Sequence, residues 1–559
     1  MSRFSHLWCL SLTVLTLGAC GKPPPAAPVS NAVVPQEQLS RLFEHYWDEH
    51  IAVEDLIDTQ SLADALNIER RYLTQIAGVP RERLDPAARL NLDIFKRRRE
   101  NVIEGLTYPG ELMPLNPFGG PLVRLALESE YIAQYPLAAA ADYEQWLKRL
   151  DACDKWSQQA IANMRDGMRR GYTSPRSVTV RMLPLLEQLG LDSSANVFYT
   201  PLRSMPDSLA AAERVRLSKA LNDTVSKKLL PAIRALHEFV AREYLPRTRQ
   251  SLAISELPLG TSWYAYRVRR IAGPESSPTE LHRIGLAQVE KLKARIQPGE
   301  AAAAPILPTL TVGDLLNAYQ QLGAQASMHL DMVLASPPEV PLDILATDLS
   351  REPASPLFYV HAAGGPRSAV LFADTAVPLA KPAVASFLQH AIPGMHLQSV
   401  VQQAADLPRF RRFAVEPAFV EGWGLYAASL GEEMGLYAEP DAKAQFEALQ
   451  MHCAVALVVD TGLHAMGWTR AQALDYLHAQ LTIDDNLALT LLDGFAAMPA
   501  EALACGAGYL KIQALRNRSQ QVLGSRFDVR EFHMQLLKDG AMPLDILDAK
   551  IKSWTEVPR

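Results

Sequence analysis

No block of lysine and arginine stands out in the 559 residues, and 55 basic against 61 acidic side chains leave a net charge of only −6. A chain without a basic stripe offers little to nucleic-acid phosphates, so nucleic acid is not expected as a partner. Cysteine is scarce as well. Cys9, Cys20, Cys153, Cys453 and Cys505 show no C-x-x-C spacing, which indicates neither a disulfide framework nor a thiolate zinc site. Beyond the first twenty residues no apolar run looks long enough to span a bilayer, so the remainder is expected to be soluble. Tandem repeats are absent. What is present, 48% hydrophobic and 21% charged residues, excludes a disordered or collagen-like chain. The length admits several ordinary domains or one large domain in two lobes.

Residues 1–20 have the make-up of an export signal: Arg3 and His6, an apolar stretch from Leu7 to Leu17, then Leu17-Gly18-Ala19-Cys20. Those last four residues resemble the bacterial lipobox. The resemblance implies cleavage before Cys20 and lipidation of its thiol, palmitate included. Residues 21–35, GKPPPAAPVSNAVVP, then form a Pro/Ala-rich extended tether. Gly21 rather than aspartate after the cysteine implies an outer-membrane lipoprotein of the bacterial cell envelope, facing the periplasm and held to the membrane by its N-terminal lipid. With Cys9 removed and Cys20 acylated, Cys153, Cys453 and Cys505 are expected to be unpaired thiols.

From Gln36 onward the spacing is helical. Leu39, Leu42, Phe43, Tyr46 and Trp47 fall at i, i+3, i+4, i+7 and i+8. Helix starts are marked by Ser277-Pro278-Thr279-Glu280, Thr469-Arg470-Ala471-Gln472 and Asp528-Val529-Arg530-Glu531, the last opening a helix that stops at Gly540. Between Ser336 and Pro382, two apolar runs, 357–362 and 368–375, flank Gly364-Gly365-Pro366-Arg367 and predict a small β-hairpin. Residues 36–559 are therefore read as one mostly α-helical domain. A composition break near Ser336 divides it into an N-terminal lobe of about 36–335 and a second lobe of about 336–559.

Three segments carry a family resemblance: Gln389-His390-Ala391-Ile392-Pro393-Gly394-Met395-His396-Leu397-Gln398, Glu421-Gly422-Trp423, and Val459-Asp460-Thr461-Gly462-Leu463-His464. They resemble the bacterial domain of unknown function 885 family, helical proteins similar to zinc carboxypeptidases. The family's signature reads H-E-x-x-P-G-H-H-x-Q, E-G-W and V-D-T-G-x-H. Tyr244-Leu245-Pro246-Arg247-Thr248-Arg249, Leu257-Pro258 and Glu280-Leu281-His282-Arg283-Ile284-Gly285 match the family's wording too. The resemblance implies a large helical zinc-peptidase-like fold with the hairpin beside the cleft. In that signature, histidines from one helix and a glutamate from the next bind Zn²⁺, and the carboxylate beside the first histidine activates the metal-bound water.

Aligned on Pro393-Gly394 and Leu397-Gln398, this chain has Gln389 for the first histidine, His390 for the base, Met395 for the second histidine and His396 for the third, with Glu421 as the remaining ligand. An amide oxygen and a thioether do not replace imidazoles at zinc, and loss of a positioned base alone costs roughly 100- to 10,000-fold in rate. A second motif of the family, E-V-x-R-Y-x-x-x-P-G-Q-A-x-x-Y-K-x-G, has lost every polar side chain, with Gly494, Phe495, Cys505 and Gly506 in their place. The resemblance thus implies a pseudoenzyme that binds a peptide-like ligand or a protein partner. His396, Glu421 and His390 are the vestigial metal set, and Gln389, Met395, Asp460 and His464 are expected to line the cleft. No cofactor is expected. Two other readings stay open: an active metal-dependent hydrolase with a His390/His396/Glu421 zinc site, and a scaffold lipoprotein whose outer surface matters. Trp423, Tyr426 and Trp468 are expected in the core.

Overall fold

Leu39, Phe43 and Tyr46 are buried along one face of the first helix, α1 (Pro35–Glu49), as their spacing requires. The structure, a computed structural model, describes residues 35–50, 56–295, 309–347, 357–360, 370–375 and 381–556. The export signal, Cys20 and most of the tether lie outside the described residues. The N-terminal part continues with α2 (Thr59–Ala77), α3 (Pro86–Gly105), α4 (Pro121–Gln134), α5 (Ala140–Arg170) and α6 (Arg176–Leu189). A continuous helical run, α7, spans residues 211–244, its α-helical parts interrupted by π-turns at Val225–Leu229 and Val240–Tyr244. Next come α8 (Gly260–Ala272), α9 (Pro278–Arg295) and α10 (Val312–Met328). The C-terminal part comprises α11 (Val384–His390), α12 (Met395–Ala404), α13 (Pro417–Ser429), α14 (Pro440–His464), α15 (Arg470–Gln480), α16 (Asp485–Ala497), α17 (Leu503–Leu523), α18 (Val529–Leu537) and α19 (Leu544–Glu556).

The helix starts read from sequence are made as expected. The Ser277 hydroxyl accepts from the Glu280 amide at 3.3 Å. Thr469 and Gln472 form a reciprocal capping box, and Asp528 accepts from the Arg530 amide at 2.9 Å. The hairpin is present as β2 (Leu357–Val360) antiparallel to β3 (Val370–Asp374), and a third strand, β1 (Asp343–Thr347), adds in parallel to β3. This sheet packs on α10 and α11.

The break near Ser336 does not divide the core. One apolar cluster runs from Leu39 through Tyr264 and Leu322 to Phe387, Trp423 and Ile551. A separate cluster gathers α4 to α7, from Leu115 to Tyr244. The physical reason is that α9, from before the break, packs lengthwise on α14. A Cβ at Gly285 of α9 would come within 2.9 Å of Val458 and Leu457, so only glycine permits this approach. Helix α14 is also long and apolar enough to cross a membrane, contrary to the expectation that no such run lies beyond residue 20. Most of that stretch is buried inside the protein, and it carries buried Asp460, Thr461 and His464, which fits a core helix better than a lipid-facing one.

Two contacts tie α17 to its neighbours. The expectation of three unpaired thiols fails because Cys453 of α14 and Cys505 of α17 form a disulfide across 52 residues, leaving Cys153 as the free, buried thiol. Helix packing supplied the proximity that the spacing did not show. Helix α17 also crosses α13 backbone to backbone: a Cβ on Gly508 would stand 1.8 Å from the Ala418 oxygen, and one on Gly422 would stand 2.4 Å from Gly508. Trp423 and Tyr426 are core residues as expected. The Tyr426 hydroxyl lies 2.8 Å from His533 Nε2 and accepts from Arg516 at 2.9 Å, while His533 Nδ1 is 2.7 Å from the Val333 carbonyl.

Candidate functional site

The turn between α11 and α12 positions the signature residues. It contains a cis Ile392–Pro393 bond, and Gly394 passes so close to Gln389 that a Cβ would lie 1.9 Å from its carbonyl oxygen. The Trp423 indole N–H reaches from α13 to the carbonyls of Pro393 and Gly394 at 3.0 and 3.2 Å. This turn is thus fixed by backbone contacts and one tryptophan.

The side chains it presents are engaged with the protein itself. Gln389 and Met395 are buried against Gly424 of α13, where a Cβ would stand 3.2 Å from Gln389 Cγ and 2.9 Å from Met395 Cε. His390 Nδ1 bonds back to the Ser386 carbonyl at 2.9 Å, and His396 Nε2 lies 2.7 Å from the Pro341 carbonyl. Burial lowers the basicity of both rings. Glu421 is half-buried on α13, three residues before Gly424 and therefore on the same side of the helix. Its carboxyl is pushed up to about 7 by burial alone, with no cation or imidazole offsetting the shift. Among the described residues no three His, Cys, Asp or Glu side chains form a group able to hold a metal ion. An amide and a thioether stand at two positions where the resemblance implies imidazoles, and neither is a good ligand for zinc.

Asp460 and His464 serve a different place. They lie one turn apart on α14 and are fully buried. Asp460 accepts from the Tyr264 hydroxyl at 2.6 Å and from the Ala500 amide at 3.1 Å. Ala500 has φ +72°, a left-handed conformation that costs a residue with a side chain, and the carboxyl helps to hold it there. Burial pushes Asp460 up to about 7 against those two bonds. His464 Nδ1 accepts from the Ile254 amide at 3.1 Å. That assigns the ring proton to Nε2, which donates to the Phe495 carbonyl at 3.0 Å. Burial, reinforced by Arg249 and Arg267, lowers His464 to about 3, so the ring is neutral. Both side chains are buried and bonded inside the protein. They pin two backbone corners, at Ile254 and at Pro499-Ala500, from behind.

Those corners border a cleft of about 1340 Å³, formed by α3, the segment before α4, the start of α8, the start of α13 and residues 496–501. None of Gln389, His390, Met395, His396, Glu421, Asp460 or His464 lines it, nor does the sheet. Its charge is one-sided. Arg98, Arg99, Arg124, Arg170, Arg249, Arg267 and Arg270 face Glu69, Glu111, Glu416 and Glu501, with no lysine or aspartate, in a protein whose net charge is −6. Some of these arginines are neutralised: Arg98 pairs with Glu416 at 2.7 Å, Arg99 with Glu69, Arg170 with Asp166 at 3.2 Å and Arg270 with Glu501. Arg249 donates to the carbonyls of Thr173, Ser251 and Ala253. Tyr108 stacks on Trp263 at 5.7 Å with the rings 5° apart, and on Tyr266 at 5.4 Å. A concave surface with aromatic walls and excess guanidinium can hold an anion beside an apolar or flat group.

Sequence reasoning missed this cleft. The available signal was the alternation Trp263-Tyr264-Ala265-Tyr266-Arg267-Val268-Arg269-Arg270, together with Arg249 in a segment already matched to the family.

The fold is shared with two solved structures. A presumed lipoprotein from Colwellia psychrerythraea superposes with a TM-score of 0.82 at 20% identity, covering 94% of this chain and all of that one. A presumed lipoprotein of unknown function from Shewanella oneidensis gives 0.64 at 16% identity, covering 92% and 96%. No functionally curated protein matches the chain. The family model described as "Bacterial protein of unknown function (DUF885)" matches residues 51–551, nearly the whole body, and the chain therefore belongs to the DUF885 family.

Proposed function

We propose that this protein is a lipid-anchored, periplasm-facing binding protein of the bacterial envelope, built on a scaffold that resembles zinc metallopeptidases but without their hydrolysis. One observation carries the reading. Where the resemblance calls for zinc ligands, Gln389 and Met395 are packed against Gly424, and the rings of His390 and His396 each bond a backbone carbonyl. The anchor is supported by Leu17-Gly18-Ala19-Cys20 and the proline-rich tether, and by the lipoprotein description of both structural neighbours. The ligand is proposed to be peptide-like and to occupy the arginine-lined cleft.

The test is elemental analysis and turnover on the full-length protein after zinc supplementation, using peptides with free and blocked C-termini. The expected result is well under one zinc per chain and no chelator-sensitive cleavage. Cleavage abolished both by a chelator and by Glu421→Gln would instead establish the hydrolase reading. One feature favours that second reading, a half-buried Glu421 carboxyl near pKa 7, poised to exchange protons at neutral pH. Mass spectrometry of the mature N-terminus tests acylation at Cys20, and an unmodified cysteine would end the lipoprotein assignment.

A further inference from the structure

Within the cleft, Arg267 differs from its neighbours. It sits half-buried on α8 between Trp263 and the Pro499 corner, and among the described residues its only hydrogen bond is a long one of 3.4 Å to the Pro499 carbonyl. Its Nε is shut off from solvent and has no acceptor. No carboxylate among the described residues pairs with it, since the nearby Glu501 carboxylate is engaged by Arg270. The guanidinium lies 5.3 Å from the Trp263 ring centre, a contact that favours the cation but satisfies none of its N–H groups. A half-buried guanidinium whose Nε is shielded and unpaired carries a cost to the folded protein. Arg249 lines the same cleft. Arg249 in turn is held by three carbonyls rather than by a carboxylate.

We propose that this wall is a receptor site for a small organic oxyanion, a carboxylate or phosphate joined to a flat or apolar body. Arg267 seats the charge, Arg249 adds to the local potential, and the body lies against Tyr108, whose ring is backed by Trp263 and Tyr266. With Nε shut off from the cleft, the oxyanion accepts from the two terminal nitrogens of Arg267, in a paired geometry that a planar guanidinium favours. Tyr108 explains why a free inorganic ion is not the whole ligand, because its half-exposed ring, backed by buried Trp263 and Tyr266, offers a face that a carbon skeleton uses. The excess of arginine over glutamate concentrates anions at the entrance of an otherwise acidic protein. This inference rests on the binding function proposed above and names the chemical class of the ligand.

Isothermal titration of the full-length protein with N-acetyl-L-phenylalanine, its amide, phenyl phosphate and acetate tests it. The carboxylate, the phosphate or both should bind at least tenfold more tightly than the amide, and the stronger of the two identifies the source of the charge. Acetate should bind more weakly than N-acetyl-L-phenylalanine, and Tyr108→Ala should narrow that gap. Arg267→Met should weaken anion binding at least tenfold while leaving the melting temperature unchanged or raised, because it removes a half-buried charge that no carboxylate among the described residues pairs. A merely structural arginine would give the opposite thermal result. If Arg267→Met does not fold, Arg267→Lys, which keeps the charge but loses the fork, should bind the anions at least tenfold more weakly than the unaltered protein. Equal affinity for acid and amide, unchanged binding in the Arg267 variants, or no heat with either aromatic anion at about 10 mM, weaker than most specific sites, would overturn the proposal. Hydrolysis of peptides in parallel would overturn the non-hydrolytic reading instead, so the two failures are distinguishable.

Discussion

The signature turn and the arginine-lined cleft have opposite relations to their polar groups. Around the turn, His390, His396 and Trp423 each find a backbone carbonyl, and Gln389 and Met395 pack against a glycine. Such a region stabilises itself and offers nothing outward except the Glu421 carboxyl. In the cleft, Arg267 keeps donors that the protein does not satisfy, and stacked aromatic rings line the space beside it. The lesson is that a family's most recognisable motif marks where the scaffold is built, whereas the unmet polar groups mark where a ligand has something to contribute.

The comparison can be broken most forcefully at the crossing that holds the signature helix. Gly508→Val should leave no cooperatively folded protein, since its Cβ would overlap the Ala418 carbonyl at a cost above about 4 kcal/mol. Far-UV circular dichroism and soluble yield would show it, and a normal melt would mean that the crossing is not rigid. Next in size, Cys453→Ala with Cys505→Ala should lower stability by about 2–4 kcal/mol in urea titrations. A change below about 0.5 kcal/mol would mean that the helices need no covalent tie.

Glu421→Gln sharpens the contrast through pH. The carboxyl is raised in the folded protein from 4.5 to about 7, so the folded state holds a proton that the unfolded state has released. Stability from this group is full below pH 4.5 and is lost as pH rises towards 7. The glutamine variant should therefore gain on the order of 2 kcal/mol at pH 8 and almost nothing at pH 4. A gain independent of pH would show that the carboxyl is better solvated than its position suggests. The smallest effect belongs to the cleft rim: Arg170→Ala, removing an exposed pair with Asp166, should change stability by less than about 0.5 kcal/mol. A larger loss would mean that the rim, too, is structural.

Helix positions and their starts were legible because they depend on neighbours in sequence: Ser277, Thr469 and Asp528 cap within three residues. The hairpin was legible for the same reason, although its parallel third strand was not. The disulfide was hidden because Cys453 and Cys505 meet only once α14 and α17 are packed. The continuity of the core across Ser336 was hidden because Gly285 gives no sign of which helix it admits. The cleft was least legible of all, since its wall draws on residues as distant as Arg98 and Glu501. Asp460 and His464 stand four apart in the sequence and so on one helical face, but their partners, Tyr264, Ala500, Ile254 and Phe495, lie far off in sequence. Their role behind the cleft could be seen only in three dimensions.

The Gly422–Gly508 crossing bears on how such a protein can change over time. Contacts between side chains degrade by degrees, since a smaller or differently shaped residue leaves a partial fit. A contact made by bare backbone has no intermediate versions: either both positions stay glycine or the helices separate. Side chains along α13 and α17 that make no such close contact are then free to drift while the register of the two helices stands still. Chemistry can be erased from such a frame, and new recognition can arise elsewhere on it, without the frame itself passing through a loosened form.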